Sequence, residues 1–97
     1  MKPEEVPVEM LEDFKARMRI FHKTEDKNLR RLLSSSYAAV QSTCGKFDIK
    51  NNIEGEELVF ERARYAYYDS VEFFEPNFVR RLHAFGMSLV VLEDETV

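Results

Sequence analysis

Residues 60–78 read FERARYAYYDSVEFFEPNF, and this stretch holds seven of the twelve aromatic residues of the chain. A helix of a small globular protein buries one stripe of side chains and exposes the rest to water. Aromatic residues on several sides of one segment therefore predict a core face together with a second apolar surface.

The spacing of this stretch predicts a helix from about Glu56 to Phe73. Tyr65 and Tyr68 fall outside its predicted core arc, beside acidic residues. The core arc is predicted to contain Val59, Phe60, Ala63, Ala66, Tyr67, Ser70, Phe73 and Phe74.

Two helices are predicted before this stretch. The first runs from about Pro7 to Ile20, and the second, with Thr24 as its N-cap, runs to about Cys44, before Gly45. The first helix has an apolar stripe of Leu11, Phe14, Met18 and Phe21. The second has an apolar face of Leu29, Leu32, Leu33, Ser36, Tyr37, Val40 and Cys44.

A final helix is predicted to open at Glu75-Pro76, because proline suits the first helical turn. It carries a second apolar side, with Ala84, Met87 and Val91 beside Arg80. Its predicted core stripe is Phe78, Leu82, Phe85, Leu89 and Leu92.

Together these elements predict one all-α domain over residues 1–97, a small bundle of about four helices. The two long central helices are predicted to pack antiparallel, and an irregular loop with a short extended piece is predicted near residues 45–55. Residues 1–7 and 93–97 are predicted to be flexible. The residues expected to be almost fully buried are Leu33, Val40, Ala66 and Phe85.

The composition argues against several classes of function. A formal net charge of −4 and a pI of about 5.2 are atypical of general nucleic-acid or anionic-membrane binders. No apolar run approaches the ~20 residues of a membrane span. The single cysteine excludes an internal disulfide.

Residue types with catalytic or metal-binding potential are present but poorly arranged. His22 and His83 have no cysteine or acid at metal-ligand spacing. Cys44 lies on an apolar helix face, which favours a core role over a nucleophile. The glycines are too dispersed to form a phosphate loop. The sequence therefore predicts a non-enzyme without a metal or a cofactor.

The basic and aromatic segment RARYAYY at 62–68 is more typical of a protein interface than of a nucleic-acid surface, because acidic residues flank it closely. For the arginines, ordinary ion pairs with neighbouring glutamates remain an equal alternative. The residues predicted to form a protein–protein interface are Arg62, Arg64, Tyr65, Tyr68, Arg80, Met87 and Val91.

The string ELVFERARYAYYDSVEFFEPNF, with HKTEDKNLRRLLSSSYAAVQSTCGKFDI before it, resembles the small head–tail connector (adaptor) proteins of long-tailed bacteriophages and prophages. The resemblance covers roughly residues 10–92, and its most specific part is Glu61 to Asp69. It implies a structural protein of the virion neck, assembled in the bacterial host cytoplasm.

The resemblance also implies the partners. A ring of identical subunits, twelvefold in the virion, would bind the portal of the DNA-filled head and then a head-closure or tail-completion protein. DNA would pass through the ring without specific binding, and no membrane is involved. Two alternatives remain open: a helical adaptor or regulator acting as a dimer outside a virion, and a DNA-binding regulator, which would need a basic recognition helix.

Overall fold

The computed structural model describes the backbone of residues 1–95 and the side chains of residues 1–90. Short 3₁₀ turns occur at Pro3–Glu5, Ile49–Asn51 and Val71–Phe73. No strand occurs in this part of the chain, and the predicted all-α bundle is confirmed. The four helices are α1 (Val8–Met18), α2 (Asp26–Cys44), α3 (Ile53–Tyr67) and α4 (Phe74–Glu95).

The two central helices, α2 and α3, are antiparallel, as predicted. The Tyr67 hydroxyl at the end of α3 donates to the Glu25 carboxylate just before α2, at 3.0 Å. Further along, the Arg62 guanidinium donates to the Ser36 hydroxyl at 3.1 Å. The end of α3 therefore lies beside the start of α2.

The core is formed where one apolar face of each helix meets the others. Leu33, Val40 and Phe85 are 0%, 1% and 3% exposed, as predicted. α1 contributes Phe14, whose ring centroid lies 5.5 Å from that of Phe60 on α3. Each of these aromatic and branched side chains contributes roughly 1.5–3 kcal/mol by burial.

Phe47, in the loop after α2, closes one end of this core. Its ring makes edge contacts with Tyr37 and Phe85, with centroids 5.2 and 4.9 Å away. Gly55 allows the ring to lie there, because a Cβ at residue 55 would come within 2.3 Å of it. The loop is shorter than predicted, since the Asn52 side chain caps α3 by accepting from the Gly55 amide at 2.9 Å.

Charged residues fix the relative positions of the helices at two points. Lys15 of α1 is 5% exposed, and its ammonium lies 2.7 Å from the Asp26 carboxylate at the start of α2. Arg81 of α4 donates to both carboxylate oxygens of Glu54 on α3, at 2.9 and 3.2 Å. Bidentate pairing gives this second contact directional specificity as well as charge attraction.

The segment before α1 is packed against α2 in this structure. Val6 is only 2% exposed, and the Arg30 guanidinium donates to its carbonyl. The Ser34 hydroxyl donates to the Met1 carbonyl. These contacts differ from the flexible tip expected from the two prolines. The other segment predicted to be flexible, 93–97, lies outside the described side chains, as does Leu92.

The prediction that α3 reaches Phe73 is wrong. α3 ends at Tyr67, and Asp69 adopts a left-handed conformation with φ of 57°. The Ser70 amide then donates to the Tyr65 carbonyl at 2.9 Å, which satisfies a carbonyl at the helix end. Because the helical phase is lost here, Phe73 is 56% exposed instead of buried.

The first connection also differs from the prediction. α1 ends at Met18, and Arg19 is left-handed with φ of 59°, so Phe21 leaves the apolar stripe and is 87% exposed. The Thr24 hydroxyl shares a hydrogen bond with His22 at 2.8 Å and does not cap α2. Ala66, near the end of α3, is only partly buried.

Two glycine substitutions test the packing at Phe47. Gly55→Ala should destabilise the fold by about 1–3 kcal/mol, because the new methyl group overlaps a ring held by two aromatic neighbours. Gly86→Ala is the matched control, since its Cβ would meet nothing closer than 3.5 Å. It should be neutral or stabilising by up to about 1 kcal/mol through helix propensity. Urea denaturation measures both, and equal stabilities of the two variants would contradict the packing described.

Candidate protein–protein interface

α4 carries a second apolar stripe on the side that faces away from the core. Val79, Met87 and Val90 are 60%, 52% and 48% exposed. With His83 between them, they follow spacings of four, four and three residues and share one side of the helix. The core residues Phe74, Phe78, Leu82 and Phe85 occupy the other side, so α4 is apolar on two sides.

The outer stripe borders a groove between the second half of α2 and α4, here called the α2–α4 groove. Its first part encloses about 280 Å³ and its second about 380 Å³, and Thr43, Glu75 and Leu82 line both parts. The first part is also lined by Ala39, Val40, Ser42, Arg62, Val71 and Phe74. The second is also lined by Cys44, Val79, His83, Gly86, Met87 and Val90.

Arg62 supplies a positive charge to the first part of the groove, which is lined by both polar and apolar residues. The side chain comes from α3 and is partly buried, with its guanidinium donating to the fully buried Ser36 hydroxyl at 3.1 Å. Burial lowers the pKa of the Arg62 guanidinium, and the nearby Glu75 charge opposes that shift. The arginine nevertheless stays protonated at any physiological pH.

Cys44 lies in the second part of the groove. Its thiol donates to the Leu82 carbonyl at 3.3 Å, and burial raises the pKa of the thiol. A raised pKa disfavours the thiolate, which is the nucleophilic form. Cys44 therefore acts as a packing residue between α2 and α4.

Tyr65 is not outside the core, contrary to its predicted position. Its ring makes edge contacts with Phe74 and Phe78, with centroids 5.8 and 5.7 Å away. The Asn77 amide donates to its hydroxyl at 3.1 Å. Tyr65 therefore joins α3 to the start of α4.

Tyr68 is 62% exposed, and its position outside the core is as predicted. It lies with three other exposed residues in the connection between α3 and α4. We call this set, which combines two aromatic rings with two carboxylates, the turn surface. It consists of Tyr68, Asp69, Glu72 and Phe73.

The predicted interface residues do not form a single patch. Arg62 and Met87 line the groove, whereas Tyr68 belongs to the turn surface. Arg64 pairs with Glu61 at 3.6 Å, which agrees with the ion-pair alternative. Arg80 is exposed on α4, and the Val91 side chain lies outside those described.

Two residues of the outer stripe, Val79 and Val90, are not among the interface residues predicted from the sequence. Their spacing from Met87 could have revealed them, because residues eight and three positions away lie on the same side of a helix. The role of all these residues in an interface stays a prediction.

Other kinds of site find little support in the described part of the chain. It holds no group of three or more His, Cys, Asp or Glu residues that could bind a metal ion. None of the helices described there combines the length and apolarity needed to cross a membrane.

Comparison of the chain with protein-family models, with curated proteins and with solved structures finds no match.

The contrasting positions of the two tyrosines give a direct test. Tyr65→Ala should destabilise the fold by about 2–4 kcal/mol, because it removes ring contacts with Phe74 and Phe78. Tyr68→Ala should change stability by less than about 0.5 kcal/mol, since its ring is largely in water. Thermal denaturation followed by circular dichroism measures both. A larger loss for Tyr68→Ala than for Tyr65→Ala would contradict the helix end at Tyr67.

Proposed function

We propose that the chain is a head–tail connector of a long-tailed bacteriophage, acting through protein–protein contacts in the virion neck. The observation that carries this proposal is the exposed outer stripe of α4, formed by Val79, Met87 and Val90. The sequence resemblance supplies the identity of the assembly, and the stripe supplies a surface on which an assembly can be built.

The stripe supports an interface because its three residues are large, apolar and adjacent to a groove. A monomer gains nothing for its own core from these side chains, whereas a partner that covers them removes apolar surface from water. Groove and stripe together also give a concave surface, and concave surfaces anchor the side chains of partners better than flat ones do.

A ring fits this arrangement physically. Each subunit of a closed ring contacts its two neighbours through different surfaces, and the α2–α4 groove and the turn surface differ in composition. The ring would present one end to the portal and the other to a head-closure or tail-completion protein. Its net negative charge would repel the phosphates of the DNA that passes through it.

A dimer is the competing arrangement, and the same outer stripe favours it as a candidate. Two copies of α4 could pair through Val79, Met87 and Val90 about a twofold axis, as in small helical adaptors. The mass of the assembly distinguishes the two, because a twofold contact stops at two subunits and a ring contact does not.

The test is to measure the solution mass of the protein alone and with its cognate portal, together with that of two variants. Met87→Glu places a charge on the outer stripe and should weaken portal-templated assembly at least about tenfold. Val8→Glu is the matched control, because Val8 is 61% exposed on α1 and lies outside the groove.

The control should assemble like the parent protein, and both variants should keep the parent's helix content. Normal assembly of Met87→Glu with the portal would show that the outer stripe is not a contact surface of the assembly. A parent protein that forms only dimers and does not bind the portal would favour the alternative of a dimeric adaptor outside a virion.

A further inference from the structure

Arg62 differs from the other arginines that contact α3 in having no ion-pair partner among the described residues. Arg17 and Arg64 both pair with Glu61, and Arg81 pairs with Glu54 and Glu57. Arg62 uses one hydrogen bond, to the Ser36 hydroxyl. A guanidinium has five N–H donors, so most of the donors of Arg62 remain available to water or to a partner.

The surroundings leave these unused donors accessible to a partner, because no buried side-chain donor in the described part of the chain lacks a hydrogen bond. Arg62 shares the first part of the groove with five apolar residues and with three polar ones, Ser42, Thr43 and Glu75. The Glu75 charge is near enough to act on the Arg62 guanidinium, so the groove already holds one carboxylate. The Glu75 carboxylate also lines the groove, but it forms no ion pair with Arg62. The groove therefore has the chemistry to accept an apolar side chain accompanied by a carboxylate.

The same chain displays a surface of that chemistry. The turn surface exposes the rings of Tyr68 and Phe73, which are 62% and 56% accessible, and the carboxylates of Asp69 and Glu72. No described cation forms an ion pair with either carboxylate. Apolar groups with an unpaired cation on one surface, and apolar groups with unpaired anions on another, are complementary.

We infer that the α2–α4 groove of one copy receives the turn surface of a second copy, with the Glu72 carboxylate pairing with Arg62. The aromatic rings of the turn would cover apolar side chains of the groove. In a ring, each subunit would give its turn surface to one neighbour and its groove to the other, so the contact would be heterologous and would repeat from subunit to subunit. This inference deepens the proposed function and rests on the groove being a contact between subunits.

Glu72 is a better partner than Asp69 for testing the contact. Asp69 is itself the left-handed residue that follows α3, so its replacement would also change the fold. Glu72 lies in the exposed 3₁₀ turn and forms no side-chain hydrogen bond or ion pair in the described part of the chain. Substitution of Glu72 therefore changes the charge of the turn surface with little effect on folding.

The experiment uses charge reversal and mixing. Arg62→Glu reverses the charge in the groove and leaves the turn surface unchanged. Glu72→Arg reverses the charge of the turn surface and leaves the groove unchanged. Each variant alone should associate at least about tenfold more weakly than the parent protein, because like charges would meet. In an equimolar mixture, the turn of each variant meets a groove of opposite charge, so association should return towards the parent level. Sedimentation velocity over a concentration series measures the masses.

Arg31→Glu is the control, because Arg31 is an exposed arginine in the first half of α2 and lies outside both the groove and the turn surface, so this variant should associate like the parent. Circular dichroism checks each fold, and the mixture still tests the contact if Arg62→Glu alone is less stable. A monomeric parent at every concentration, parent-like association of both variants, or no recovery on mixing would overturn the inference. If mixing fails while Met87→Glu still blocks binding to the portal, the proposed function stands without this contact.

Discussion

The rest of the structure depends on the left-handed residue Asp69, which ends α3 and reverses the chain. Its φ of 57° lets the Ser70 amide bond to the Tyr65 carbonyl, and α4 begins four residues later. Without this reversal, the aromatic run would continue as one helix with rings on several sides. With it, Phe74 and Phe78 fold back onto Tyr65, and the run becomes the packed junction of two antiparallel helices.

The reversal also explains why α4 has two apolar sides. Contacts of Arg81 with Glu54 and of Phe85 with the Phe47 ring fix which side of α4 faces α3. The opposite side then carries Val79 and Met87 beside the end of α2. An outer apolar stripe is thus a consequence of how α4 is anchored, and the groove with Arg62 lies between α2 and α4.

Much of the fold could be predicted from residue spacing. The apolar face of α2 and the stop at Gly45 were predicted, because the period is regular and glycine adopts the φ of 120° found there. The break at Asp69 could not be found in the same way. The residues around it, YYDSVEFF, contain no glycine or proline, and the apolar spacing continues through them. The wrong positions of Tyr65 and Phe73 follow from this one missed break.

The candidate site was predictable only in part, for a similar reason. Met87 could be recognised because it lies off the core stripe within a single helix. Arg62 was named from its neighbours in the sequence, but its place in a groove depends on where α2 and α4 lie relative to α3. Such a placement is a property of packing between distant segments, and spacing along one helix does not contain it.

The central claim is that the outer side of α4 is free in the monomer and covered in the assembly. Methyl NMR of the methionines with a soluble paramagnetic probe tests it directly, because Met87 is 52% exposed and Met10 is 6% exposed. The account predicts that the probe broadens the Met87 signal in the free protein, and that assembly with the portal protects it. Met10 should stay sharp in both states. A sharp Met87 signal in the free protein, or one still broadened in the assembly, would contradict the account.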